Sequence, residues 1–373
     1  MVLGSRQDDM ETVFVDGSMG EGGGQILRTS LALACITGKS LHIENIRVAR
    51  RKPGLAKQHL ICVRAACQIC GGDCKGAAIG SQVLDFQPGP IRCGDFSFDI
   101  GSAGSASLVI QTILPALFLA DNSSTVTVTG GTHNPWAPPF DFLAETFLPA
   151  IRTAGFDADC RLVKHGFFPA GGGKITLDIQ PRQENPNRPI NFCEPAENIQ
   201  IHARIYTAKL PDHIAQRQKK LLLQTKLKFQ NIEHIEVKDS NGPGNCIMIR
   251  LVASSGGSLK ACPEQSRRAE GFGDGGHRIM VFTAFGQKGK PSEKVVCEVV
   301  SLAEDFLPSG AAVDRFSADQ LLIYMAISKS GSFTTNDLTT HLTTNIETIK
   351  KFLPVDFTIE QQNPIFRISC QII

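Results

Sequence analysis

Three times along the chain a loop of small residues runs into an apolar stretch of helical length. Gly22-Gly-Gly-Gln25-Ile26-Leu27-Arg28 leads on to Ala34. Gly104-Ser-Ala-Ser-Leu108-Val-Ile-Gln111 leads on to Leu117. Gly310-Ala-Ala precedes Ala318-Asp319-Gln320 and continues to Ala326. Each stretch has companions. Strand-like runs lie at Leu41–Ile46, Thr125–Thr129 and Phe366–Ile372, and helical patterns at Leu55–Cys70, Phe140–Ala154 and Ile346–Phe352. A supersecondary unit repeated in this way predicts three α/β units stacked about a pseudo-threefold arrangement. Chance similarity among apolar helices accounts for the pattern equally well, so periodicity alone leaves both readings open.

Between the second and third units the pattern changes. Gln180-Pro-Arg-Gln-Glu-Asn-Pro-Asn-Arg-Pro189 is polar and proline-rich, as a linker would be. Beyond it the pattern predicts a strand at Ile199–Tyr206 and a long charged helix from Pro211 to Phe229. Strands follow at Ile235–Val237, Ile247–Val252 and Arg278–Phe285, then a helix at Ser292–Phe306. The order βαβββα predicts a small α+β domain inserted in a larger one. The expected division is 1–190 with 309–373 for the larger domain and 191–308 for the insertion. Ser254 to Gly276, rich in Gly, Ser and charge, reads as a long mobile surface loop without a catalytic role.

A length of 373 residues fits two domains. The net charge of +2 means that no whole-surface field attracts nucleic acid, so any phosphate affinity must be local. One place supplies it. Arg47, Arg50, Arg51, Lys52 and Lys57 follow one another with no acid between them. A solvated loop is the plain reading of such a cluster; its density favours a phosphate site. No apolar run reaches the roughly 20 residues of a membrane span. The polar, acidic start from Met1 to Thr12 does not read as a signal peptide, so a cytoplasmic location is expected. The cysteines at 62, 67, 70 and 74 cluster, yet no second C-x-x-C exists. They read as reduced, mostly buried thiols rather than a metal site.

Two near misses to a P-loop fail. Thr37-Gly38-Lys39-Ser40 has Leu33 where the first glycine belongs, and Gly171-Gly-Gly-Lys174 is followed by Ile175. The first glycine-rich turn is more promising, because glycine lets backbone N–H groups approach an anion. Arg28, just beyond it, is either a snorkelling surface arginine or a phosphate contact. Glu21 is an odd anion among phosphates unless a divalent cation bridges it to them. His341 sits in Thr339-Thr340-His341-Leu-Thr-Thr-Asn345, a polar turn opening a helix. A lone histidine is ordinarily structural. Asp319 could simply partner a helix dipole, and Gln111 is a polar residue in an apolar run that needs partners once buried.

The ordered set of motifs resembles one family, the RNA 3'-terminal phosphate cyclases. Glu21-Gly-Gly-Gly-Gln-Ile-Leu-Arg28, then Arg47 and Lys52-Pro-Gly-Leu-x-x-Gln58-His59, carry the resemblance. So do Gly101-Ser-Ala-Gly-Ser105 to Gln111, Gly130-Gly-Thr-His133-Asn-Pro135 and Gly166-Phe-Phe-Pro-Ala-Gly-Gly-Gly173. Ser309-Gly-Ala-Ala312, Ala318-Asp319-Gln320 and His341-Leu-x-Thr-Asn345 complete it. The resemblance implies three α/β units like those of enolpyruvyl transferases, with a thioredoxin-like insertion. It implies ATP-dependent conversion of an RNA 3'-phosphate to a 2',3'-cyclic phosphate, with ATP and Mg2+ or Mn2+ as cofactors and no membrane. His341 would accept AMP. Gln111, Phe316, Ser317, Ala318, Asp319 and Gln320 would bind the nucleotide, Phe316 by stacking, with Asp319 orienting His341. Arg28, Arg47, Arg50, Gln58 and His59 would handle phosphate, with His59 on either the RNA phosphate or pyrophosphate, and Glu21 would hold the metal. A non-catalytic cyclase-like RNA-processing protein and an enolpyruvyl transferase are the two alternatives.

Overall fold

The computed structural model describes residues 11–182, 189–254 and 277–373. Its first strand, β1 (Thr12–Asp16), alternates strictly: Val13 and Val15 are buried while Phe14 is exposed. Helix α1 (Gly24–Thr37) carries the chain back to β2 (Ser40–Glu44), which pairs parallel with β1. Then come α2 (Lys57–Cys70), β3 (Asp73–Lys75) and β4 (Leu84–Gln87), giving the sheet order β1-β2-β4-β3. The second unit repeats this plan. It has β5 (Gly94–Asp99), α3 (Ala106–Leu117) and β6 (Ser124–Gly130). A helix of three segments follows: α4 (Phe140–Phe142), a π turn (Leu143–Phe147) and α5 (Leu148–Arg152). With β7 (Ala158–Lys164) and β8 (Gly173–Ile179) the order is β5-β6-β8-β7.

The third unit begins with β9 (Ile190–Phe192) and is then interrupted. The interruption consists of β10 (Glu197–Ala208), α6 (His213–Leu223), β11 (Phe229–Glu236), β12 (Gly244–Ser254), β13 (His277–Phe285) and α7 (Ser292–Phe306). Its sheet runs β11-β10-β12-β13. The third unit resumes with α8 (Arg315–Ser328), β14 (Gly331–Thr335), α9 (Thr340–Lys350), β15 (Val355–Gln362) and β16 (Ile365–Ile372). Its order, β9-β14-β16-β15, matches the other two units, with one parallel pair followed by two antiparallel pairs each time. Three copies of one topology remove the ambiguity that the apolar pattern left.

Helix α1 packs on α3 and α9, and α8 packs on α9. One apolar core runs through all three units, and a second, including Ile205, Ile249, Val299 and Phe306, fills the interrupting segment. The fold corrects several expectations. Phe366–Ile372 falls in β16, the fourth strand of its unit; the counterpart of β2 and β6 is β14, too short and polar to stand out. The helix expected over Pro211–Phe229 stops at Leu223. Its buried stripe of Ala215, Gln218 and Leu222 runs out there, and the next stretch, β11, pairs parallel with β10. Because Asn191 and Phe192 pair with β14, we place the start of the insertion after Phe192 rather than at 191. The expected linker at Gln180–Pro189 lies mostly outside the described residues, and the expected loop at Ser254–Gly276 lies outside them beyond Ser254. The clustered cysteines are free thiols, with Cys62 and Cys70 buried. Among the described residues no helix is long and apolar enough to cross a membrane.

Candidate active site

Helix α1 starts at a glycine. Gly23 caps it without any side-chain bond, and its first turn holds no acid. The first N–H groups of a helix lack intrahelical partners, so an uncapped N-terminus offers donors and a positive dipole end to an anion. Side chains close over this end. A Cβ on Gly24 would lie 2.3 Å from His59 Nε2 and 2.9 Å from an Arg28 guanidinium nitrogen. On Gly23 it would lie 3.0 Å from Arg50 and 3.1 Å from Glu21. A side chain at 24 would therefore force His59 and Arg28 to shift.

His59 sits in the first turn of α2. Its Nδ1 accepts the Ala56 N–H at 3.2 Å, so the neutral ring carries its proton on Nε2, the atom nearest Gly24. Burial, reinforced by Arg28 and Arg47, lowers its pKa to about 3, so the ring stays neutral and keeps the Nε2–H. Gln58 Oε1 accepts from Ser105 N at 2.7 Å, tying the α2 end to the loop that opens α3. Arg47, in a left-handed conformation (φ 54°), donates to Gly54 O at 2.6 Å.

His341 enters from the first turn of α9, where Thr339 caps the helix by accepting from Leu342 N. Its Nε2 lies 2.8 Å from Glu21 Oε2, and its Nδ1 lies 2.5 Å from Gln25 Oε1. The other Glu21 oxygen meets Arg50. Burial lowers the imidazole pKa; Glu21 pulls it up and Arg28 and Arg50 push it down again. The Gln25 amide nitrogen donates to Asp319 Oδ2 at 2.6 Å. Asn345, one turn after His341 on α9, donates to the Asp319 carbonyl at 2.6 Å and accepts from Thr29 Oγ1 at 2.7 Å. Burial pushes the Asp319 carboxyl up to about 7, against the pull of Arg28.

Away from His341 the cleft continues between α3 and α8. Gln111 donates to Gln320, whose amide donates to Phe316 O at 2.7 Å. Phe316 is 41% exposed. Glu21, Arg28, Arg50, His59, His341, Asp319, Gln111 and Gln320 thus gather around one cleft, while Gln58 is engaged by Ser105 N and Arg47 by Gly54 O. Two further expected residues, both on α8, point elsewhere. Ser317 Oγ donates to the capping Asp314 at 2.6 Å, and Ala318 is fully buried in the core. Gln25, Thr29 and Asn345 were not singled out from sequence. Asn345 carried a signal in its spacing of four from His341, which puts both on one helix face.

The RNA 3'-terminal phosphate cyclase family matches residues 19–359. The chain belongs to this family. A Pseudomonas fluorescens RNA 3'-terminal phosphate cyclase is 42% identical over 92% of this chain and 93% of its own length. A Koribacter versatilis protein of the same name is 42% identical over 96% and 95%, and one from Ralstonia nicotianae is 38% identical over 99% and 100%. Membership bears out the resemblance seen in the motifs.

Proposed function

We propose that this protein is an ATP-dependent RNA 3'-phosphate cyclase that works through a histidine–AMP intermediate. The observation that carries the reading is His341 held between Glu21 and Gln25 at the rim of an uncapped helix N-terminus lined with Arg28, Arg50 and His59. Histidine is a nucleophile only when neutral, and the lowered pKa favours that form. His341 attacks the α-phosphorus of ATP and pyrophosphate departs. An oxygen of the RNA 3'-phosphate then takes the AMP from histidine. The neighbouring 2'-hydroxyl attacks the activated phosphate and expels AMP, closing a 2',3'-cyclic phosphate. That closure asks little of the protein, since intramolecular reactions reach effective molarities of about 10⁵–10⁸ M.

Arg28, Arg47, Arg50 and the Nε2–H of His59 offset charge on phosphate oxygens. Phe316 offers adenine a stacking face, with Gln111 and Gln320 as polar partners. Among the described residues no cluster of three His, Cys, Asp or Glu could hold a metal alone. Glu21 is a single carboxylate, which fits Mg2+ or Mn2+ arriving with the triphosphate and taking most of its ligands from phosphate and water. Such an ion would neutralise phosphate charge.

A 3'-phosphorylated oligonucleotide incubated with ATP tests the reading. The expected product has a 3' end resistant to phosphatase and releases AMP and pyrophosphate. Enolpyruvyl transfer without AMP formation, or RNA binding without turnover, would replace this reading with one of the two alternatives.

A further inference from the structure

The two ring nitrogens of His341 face unlike oxygens. Nε2 meets Glu21, a carboxylate that can accept a proton and can turn to a cation, as its second oxygen already does with Arg50. Nδ1 meets the Gln25 carbonyl, a neutral acceptor that can do neither. The amide is also kept from turning over. Its nitrogen donates to Asp319 Oδ2 at 2.6 Å, and that carboxyl, once ionised above about pH 7, can only accept. A reversed Gln25 would set two acceptors against each other at Asp319. The backbone of Asp319 is in turn fixed by Asn345, and Asn345 by Thr29.

We infer that Gln25 is a positioning residue: locked by Asp319, it keeps a proton on His341 Nδ1 and leaves Nε2 to form the bond to AMP. The inference rests on the histidine–AMP reading and adds to it a residue that acts through His341. The electrons balance without proton transfer to or from the ring. The Nε2 lone pair makes the N–P bond as the bond from the α-phosphorus to its bridging oxygen breaks, and pyrophosphate keeps that pair. The Nδ1 proton stays, so the adduct is an imidazolium, a better leaving group than a neutral imidazole carrying phosphorus would be. When an RNA phosphate oxygen attacks phosphorus, the N–P pair returns to Nε2 and the neutral Nδ1–H ring is restored. Asp319 answers the transient positive charge across Gln25.

The test uses the adenylated full-length protein with ¹⁵N-labelled histidine, together with Gln25→Leu and Gln25→Glu. In the wild-type adduct, Nδ1 of His341 is expected to give a protonated nitrogen signal. Gln25→Leu should lose that signal at the same pH. Its single-turnover adduct formation at saturating ATP should fall about 30-fold while ATP affinity stays within about threefold, the signature of an interaction made in the chemical step. Gln25→Glu keeps an acceptor facing Nδ1 and should recover to within about fivefold of wild type. A wild-type adduct with unprotonated Nδ1 overturns the inference, and so does Gln25→Leu forming adduct at the wild-type rate. A wild-type protein that forms no adduct overturns the histidine–AMP reading as well, so the two failures are distinguishable.

Discussion

Two histidines in this protein have nearly the same partners and opposite surroundings. His341 lies between Glu21 and Gln25. His133 lies between Asp141, 2.8 Å from its Nε2, and Thr132, 2.9 Å from its Nδ1. Yet the His133 side chain is fully buried, whereas that of His341 is 48% exposed. Asp141 is pinned: Tyr206 donates to it at 2.7 Å and Arg204 at 3.3 Å, both from β10 of the insertion. Glu145, one turn on, takes Arg204 at 2.6 Å and Arg250 at 2.5 Å. This network docks the insertion on the second unit and leaves His133 no room to meet a substrate. A histidine beside a carboxylate is therefore not yet a catalytic group. Access separates the site from the dock: the Glu21 side chain is 33% exposed, that of Asp141 only 7%.

Removing each histidine should split activity from stability. His341→Ala is expected to lose more than about 10³-fold of cyclisation with a melting temperature within about 2 °C of wild type. His133→Ala should leave Asp141 without one of its partners and cost about 3 kcal/mol of stability, read by denaturant unfolding, with adduct formation retained by the folded fraction. A stable His133→Ala without activity would break the comparison.

The carboxylates sharpen it further. Burial would raise the Asp141 pKa, but the bonds from His133, Tyr206 and Arg204 prevail and hold it at about 2. Its folded value lies below its unfolded one, so it contributes stability above roughly pH 4 that is lost as pH falls towards 2. Asp319 has the opposite sign. With a folded value of about 7 its proton is bound more tightly in the native state, so stability falls as pH rises from about 4 to 7. Asp319→Asn should accordingly gain on the order of 2 kcal/mol at about pH 8 while slowing adduct formation. Unfolding curves across pH check both signs; a loss of stability in Asp319→Asn at that pH would contradict them. Ser317→Ala should do least. It removes one bond to Asp314, costs about 1 kcal/mol, and leaves the rate of adduct formation within about twofold.

How much of this the sequence disclosed depends on the range of the contacts involved. The three helix entries and the βαβββα order of the insertion are local patterns, and they were readable. Glu21, Arg28 and His59 stand in or next to one glycine-rich turn in space, and the motifs named them. Gln25 sits in the same motif, but its role depends on Asp319 and His341, 294 and 316 positions away, so no local pattern could assign it. The continuous lining expected from Phe316 to Gln320 does not form, because these residues lie on one helix. Successive residues on α8 point about 100° apart, so Phe316 and Gln320 share a face while Ser317 and Ala318 turn inward. The docking network was hidden for the same reason as Gln25, since Tyr206 and Arg204 lie 65 and 63 positions from Asp141.

The open histidine, not the buried one, is expected to carry the nucleotide. Incubation of the wild-type protein with α-labelled ATP, followed by proteolysis and peptide mapping, tests it most directly. The label is expected on the peptide containing His341, with the acid lability and alkali stability of a phosphoramidate, and it should leave when a 3'-phosphorylated oligonucleotide is added. A label on any other residue, or a labelled His341 that does not pass its AMP to RNA, would contradict the account.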